Sequence, residues 1–461
     1  MSRLSRRTFV GTTAAGLLAW PAGLRSFAAD AGPNLQIAPF RFDVSPPIGH
    51  PCCGGWITPV VGYDDAQEAT GFVLLRAGKP IVICAVDWTG ILNQAHVDFR
   101  TALADAAGTT PDRVAVQCVH QHNAPFACLE AERITQEQGD LPHIVDVDFF
   151  RRCLDAGRVT VREALSRSRP VTHVATGQAR VEQVASNRRI LGEDGKVRVM
   201  RGSSSRNPEL RALPEGLIDP WLKTVAFFDG DTKVAACHYY ACHPMSYYGD
   251  GRVSADFCGI ARRQAQQQEP DCTHIYFNGC GGNIGAGKYN DGSPEMRPVL
   301  VERMLRGITA AGANLHPEPI SSARWSTQEI LPPPDPRWDA EAILAQIADK
   351  SQPVVSRNRP SYTVAWIRRY EQGIPIVLSG LHVNNVSLLH LPAESFIEYQ
   401  LDAQQAAPDR FVACAAYGDG GPWYIPTEEA YPQGGYEVSV AWCAPKVDDI
   451  LSRGVRTLLE A

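Results

Sequence analysis

Two histidines, His120 and His122, stand two residues apart in the stretch QCVHQHNAPF, at the close of an apolar run. Along a strand, side chains alternate between faces, so both imidazoles would point to the same side. Such a pair suits one shared metal or catalytic centre. It equally suits two half-buried structural histidines. His243 ends a second apolar run, YYACHP, where Pro244 stops any hydrogen-bonded ladder. Glu394 follows a third, VSLLHLPAE. A carboxylate there is either a ligand or the acidic first turn of a helix. Tyr424 lies in a glycine- and proline-rich loop, GGPWYIPTEEAY, as a ligand or as packing. Asp87, in AVDWTG, either faces a site or binds local backbone. Asp256, in RVSADFCG, reads first as the opening turn of a helix capped by Ser254.

The elements that must position these residues alternate between strand and helix. GFVLLRAG and PIVICAVDW read as strands split by a turn at Gly78, and HVDFRTALADAAG has helical spacing with a closing glycine. RVAVQCVH reads as a buried strand, so the histidine pair sits at a strand's C-terminal end, where sites collect in open α/β sheets. A long amphipathic helix follows over DVDFFRRCLDAGRVTVREALSRS. TVAFFDGDTKVAACHYYACHP reads as a hairpin, and THIYFNGCGGNIGAG as a strand running into a glycine-rich turn. Further strands lie in IPIVLSGLHVNNVSLLHL and RFVACAAYG, and a helix closes the chain. The expected fold class is α/β, with mixed β-sheets flanked by helices. No internal repeat is visible, and no stretch is long or biased enough for a domain linker.

The 461 residues suffice for two average domains or one large enzyme, and the second reading is preferred, with one domain over residues 36–461. A net charge of −6 gives no general attraction to nucleic acid or to an anionic membrane, so the expected partner is a small-molecule or lipid substrate. Residues 1–29 read as a signal peptide. Arg6 and Arg7 form a twin arginine, an uncharged apolar stretch follows, and SFAAD offers a cleavage point near Ala28 or Ala29. Twin-arginine export of a folded bacterial protein, to the periplasm or beyond, is the expectation, with no transmembrane segment left after removal. The thirteen cysteines show no CxxC spacing. Several fall in apolar runs, where cysteine acts as a small hydrophobe.

HQH after a strand, YYACHP, LPAES and YIPTEEAYPQGGYE occur in the order and approximate spacing of the neutral ceramidases, and the chain resembles that family. FRFDVSPPIG resembles its opening strand and turn, and SNRR its Asn-Arg segment. The resemblance covers most of residues 36–461, which it identifies as a neutral-ceramidase-like catalytic domain, and leaves out the family's C-terminal immunoglobulin-like domain. It implies a zinc-dependent hydrolase of the N-acyl amide. Carried over, His120, His243, Glu394 and Tyr424 would be the Zn2+ ligands, a nitrogen and oxygen set that suits zinc. His122 would lie beside the metal and help polarise the reacting carbonyl. Arg188 and Tyr436 would touch the substrate or the developing oxyanion.

The chain departs from the family at its serine. Gly285 stands in the serine's place within GGNIGAG, Asn283 replaces an aspartate, and the family's HTHS reads HQHN. Glycine has no side chain to act as nucleophile. The turn could still offer backbone N–H groups to an anion, or be no more than a tight strand-to-helix connection. The expected function is therefore hydrolysis of an amide or ester by metal-activated water, with His122 the candidate proton acceptor and ceramide only one possible substrate. Two alternatives stand beside it: a metal-dependent lyase or isomerase acting on a sugar or hydroxy-acid, and a non-catalytic binding protein on the same fold.

Overall fold

The computed structural model describes residues 25–29 and 34–460. Most of the proposed signal segment, residues 1–24, lies outside the described residues. Three five-stranded sheets carry the architecture. The first is built on β2 (Gln36–Asp43), β3 (Glu68–Leu75), β4 (Ile81–Val86) and β5 (Val114–Cys118). The second uses β6 (His173–Arg180), β7 (Trp221–Asp229), β8 (Thr232–Tyr240) and β9 (Thr273–Asn278). The third uses β10 (Ala323–Ile330), β11 (Ile376–Val383), β12 (Val386–His390) and β13 (Phe411–Ala415).

The three sheets share one topology. In each, three strands run antiparallel in chain order, a helix crosses over, and a fourth strand adds parallel to the third. The crossover helices are α1 (Gln94–Ala107), α2 (Asp256–Gln268) and α3 (Ile397–Ala406). Even the far edge repeats. Arg169–Pro170, Glu318–Pro319 and β1 (Arg25–Ala29) each pair antiparallel with the first strand of their sheet; β1 lies inside the segment read as an export signal, so cleavage near Ala28 or Ala29 would take this edge strand away. The sequence shows no repeat, yet the backbone repeats three times. A βββαβ unit is fixed by where apolar runs and turns fall, and side-chain identity can drift while that pattern is kept.

The fourth strands meet at the middle of the molecule. Cys118 N–H donates to the Tyr417 carbonyl at 2.8 Å and Ala416 N–H to the Asn278 carbonyl at 2.9 Å. Asn278 Nδ2 closes the ring by donating to the Val119 carbonyl at 3.2 Å. Parallel strands covered on both faces read as continuous apolar runs, and β4 and β5 are buried along their whole length. The C-terminal ends of β5, β8 and β12 thereby reach one place, each followed by a loop that carries a candidate residue.

Candidate metal centre

His120 follows β5, His243 follows β8 and Glu394 follows β12, so each sheet contributes one group. Glu394 Oε2 lies 3.3 Å from His120 Nε2 and 3.1 Å from His243 Nε2. The Tyr424 hydroxyl lies 3.4 Å from the same His243 nitrogen. It arrives through a two-residue parallel pairing of Glu394–Ser395 with Tyr424–Ile425. His122 joins the group: ring nitrogens of His120, His122 and His243 lie within 4.8 Å of one another. All four residues expected as ligands are buried, and His122 is half-buried.

Carbonyl groups orient the rings. His120 Nδ1 is 2.6 Å from the Thr89 carbonyl and His243 Nδ1 is 2.8 Å from that of Gly281. A carbonyl can only accept, so each Nδ1 carries the proton and each Nε2 presents a lone pair toward Glu394. His120 Nε2, His122 Nδ1 and Glu394 Oε2 are buried and have no hydrogen-bond partner. Buried polar atoms left unpaired are costly, and the His120 nitrogen facing the Glu394 oxygen with no hydrogen bond made by either suits a cation between them. Two or three imidazole nitrogens with a carboxylate and a phenol oxygen are a donor set zinc accepts.

The electrostatics keep this set in ligating form. Burial presses the imidazole of His243 down to about 4 and that of His122 well below its ordinary range, so both are neutral at pH 7. Burial alone would raise Glu394, but its close contacts with the His120 and His243 rings outweigh burial and hold the carboxyl well below the usual range. Burial raises the Tyr424 hydroxyl, and the Glu394 carboxylate adds to this; Arg188 works the other way. Arg188 Nη1 donates to the Tyr424 hydroxyl at 3.3 Å, and Nε lies 3.4 Å from Glu437 Oε1. Burial disfavours the guanidinium charge, but Tyr424 and Glu437 hold Arg188 firmly protonated.

Backbone conformation marks the same place. His120, Ala393, Tyr417 and Trp423 all have φ between +50 and +82° without being glycine. Such residues persist only where their surroundings hold them, and they cluster at functional sites. Gly282 also belongs here, because a side chain on it would collide with the Glu394 carbonyl.

Of the residues expected from sequence, His120, His122, His243, Glu394, Tyr424 and Arg188 come together. Tyr436 stands at the mouth, 39% exposed, its ring centroid 5.8 Å from that of Tyr424. The two aspartates are structural. Asp87 accepts from Glu68 N–H and Gln121 Nε2, and Asp256 accepts from the backbone of Ser246 and Phe257. In the glycine-rich turn, Gly282 N–H donates to the Ser395 carbonyl and Ile284 N–H to that of Gly281, while the Gly281 carbonyl also holds His243. Asn283 ties the turn to α3 through Ile397 N–H and Glu398. Sequence reading missed Tyr417, whose ring stacks on His120, and Arg359, Trp56 and Trp423, which line the approach. A tyrosine two residues beyond an apolar run, in the same position as His120, was the available signal for Tyr417.

The approach is a cavity of about 590 Å³ lined by the three histidines, Arg188, Ser203, Tyr248, Arg359 and Tyr436 among others. The backbone as a whole agrees with solved structures. A neutral ceramidase from Pseudomonas aeruginosa superposes with a TM-score of 0.66 at 15% identity, over 93% of this chain and 75% of that one. The chain has the neutral ceramidase fold. A ceramidase solved in complex with C2 gives a TM-score of 0.65 at 14% identity, covering 93% of this chain and 76% of the other. No protein-family model matches the sequence, and no curated protein does. The ceramidase fold has thus been kept where sequence similarity has nearly vanished. Among the described residues no helix is long and apolar enough to cross a membrane.

Proposed function

We propose that this chain is a divergent, exported, zinc-dependent hydrolase of an amide or ester bond, with residues 36–461 as its catalytic domain and 1–29 as a twin-arginine export signal. The observation that carries the reading is the convergence of His120, His243 and Glu394, one from each sheet, with Tyr424 and His122 beside them. His120, His243, Glu394 and Tyr424 would hold the ion. Zinc in such a site supplies Lewis acidity toward a carbonyl and acidifies a water.

The remaining chemistry falls to the chain's own groups. Thr89 and Gly281 fix the tautomers of the two ligand histidines. His122 lines the cavity and is neutral, the state in which an imidazole accepts a proton. Arg188 supplies a fixed positive charge beside Tyr424, where negative charge on a substrate oxygen would be stabilised. Tyr436 closes the mouth over it, with the Arg188 guanidinium 5.7 Å from its ring. With Gly285 in the serine's place, water is the nucleophile. Ceramide therefore has no special claim as substrate.

The test is elemental analysis of untagged protein, joined to an assay on a panel of N-acyl amides and esters. About one zinc per chain and chelator-sensitive hydrolysis are expected. Protein that holds no metal after mild purification, or that hydrolyses equally well after His120→Ala and His243→Ala together, would overturn the proposal.

A further inference from the structure

The same cavity carries a second charged group that the metal centre does not use. Arg359 lines its outer part, and its guanidinium carbon lies 4.8 Å from the ring centroid of Trp56 and 4.8 Å from that of Trp423. The two indoles are themselves stacked, 5.0 Å apart and 10° from parallel. Arg359 Nη2 donates to the Tyr436 hydroxyl at 3.1 Å. Among the described residues no carboxylate pairs with Arg359; the buried Arg188 and Arg189, by contrast, share Glu437. A guanidinium has five N–H donors, and only one of those on Arg359 has a side-chain acceptor.

Charge along the cavity points the same way. Its lining contains Arg188 and Arg359 but one carboxylate, Glu394, which is turned to the histidines. The chain as a whole carries −6. A positive cavity in an acidic protein raises the local concentration of anions and selects them from neutral molecules. An arginine held beside aromatic rings loses little freedom when it takes a carboxylate, sulfate or phosphate with paired hydrogen bonds.

We propose that the substrate bears an anionic group at the end distant from its scissile bond, and that Arg359, braced by Trp56, Trp423 and Tyr436, binds it. This rests on the hydrolase reading for the words scissile bond, but the anion site itself does not depend on turnover. It would set the chain apart from hydrolases of uncharged lipids.

Binding to the purified full-length protein, followed by tryptophan fluorescence and calorimetry, tests it. The probes are 6-acetamidohexanoate, whose carboxylate stands at the far end of the chain from its amide, and its uncharged methyl amide. Wild type should bind the carboxylate about ten- to a hundredfold more tightly than the amide, the range for a charge-assisted hydrogen-bonded pair. Arg359→Gln should abolish that preference and leave the amide's affinity unchanged. Arg359→Lys keeps the charge without the paired donors and should retain only part of it. Equal affinity of wild type for both probes, or an undiminished preference in Arg359→Gln, overturns the proposal. Should Arg359→Gln fail to fold, the wild-type preference and the lysine variant still decide it. Hexyl sulfate and hexyl phosphate against hexanol distinguish the acid class. A protein that shows the preference yet hydrolyses nothing keeps the anion site and loses the hydrolase reading.

Discussion

The rings of His120 and Tyr417 stack 4.4 Å apart, at 26° from parallel, and the two residues hold the same position in two of the three sheets. Each stands two residues beyond the end of a fourth strand, β5 or β13, and each has positive φ, 82° for His120 and 61° for Tyr417. One position of the repeated unit thus carries a proposed ligand in one copy and the ring stacked on it in another. Tyr417 should accordingly position His120 without binding metal. Tyr417→Phe should retain zinc, because the Tyr417 hydroxyl has no partner. Tyr417→Ala removes the wall, should cost about 3–5 kcal/mol in stability, and should weaken zinc binding. Chemical denaturation and metal titration on the two variants check this; zinc loss in Tyr417→Phe equal to that in Tyr417→Ala would make the hydroxyl a ligand.

His243 and His122 should behave differently when removed. His243→Ala takes away a buried donor held by Gly281 and next to Glu394, and most bound zinc should go with it. His122→Ala should keep zinc and lose turnover, since His122 is half-buried and lines the cavity that leads to the centre. By distance alone His122 belongs to the same cluster as the other two histidines. Elemental analysis of both variants separates the roles, and equal metal loss would make all three histidines ligands.

Gly285 lies in a short extended pairing, Ser186–Asn187 with Ile284–Gly285, and is not among the positive-φ glycines. What resists a side chain is crowding: a Cβ there would sit 3.2 Å from Ser203 Cα and 3.3 Å from both the Gly202 carbonyl and Ser203 Oγ. Gly285→Ser should therefore destabilise by about 1–3 kcal/mol through overpacking. It should also leave ceramide uncut. Thermal unfolding gives the first number, and chromatography of N-acyl sphingosine after incubation gives the second. Rapid ceramide cleavage by either form would restore the lipid substrate.

Stability should fall as the medium becomes acidic, for a reason remote from the metal. His382 is buried in the third sheet between Ser326 and Ser387, both at 3.0 Å, and burial with the nearby Arg324 and Arg410 lowers it from 6.5 to about 3. Burial also lowers His50 and His96 to about 4. A histidine kept neutral when folded takes up a proton only on unfolding. Its contribution is complete above about pH 6.5 and is lost progressively as pH falls toward the folded value. Calorimetry from pH 7 to pH 4 should show a falling midpoint, with a shallower slope in His382→Gln. A midpoint that holds steady over that window would show that these groups titrate as exposed histidines.

Much of the candidate site was legible in the sequence because its donors are rare residue types set just beyond apolar runs. His120, His122, His243 and Glu394 could be chosen that way, since strand ends are where a sheet exposes side chains to a common space. The strands of the hairpins and the helix over Val147–Leu165, capped by Asp146, followed from local pattern. What local pattern cannot contain is distance between loops that are far apart in the chain. Only the threefold packing of the sheets decided that the three loops meet, through the ring that links Cys118, Tyr417, Ala416, Asn278 and Val119. It also decided that Asp87 and Asp256 turn to structural partners while Glu394 turns to His120 and His243. Arg359 was silent for the same reason. An arginine in a turn just after a short helix is ordinary until two tryptophans from distant loops stand against it and no carboxylate among the described residues pairs with it, and those are facts of packing, which apolar periodicity does not encode.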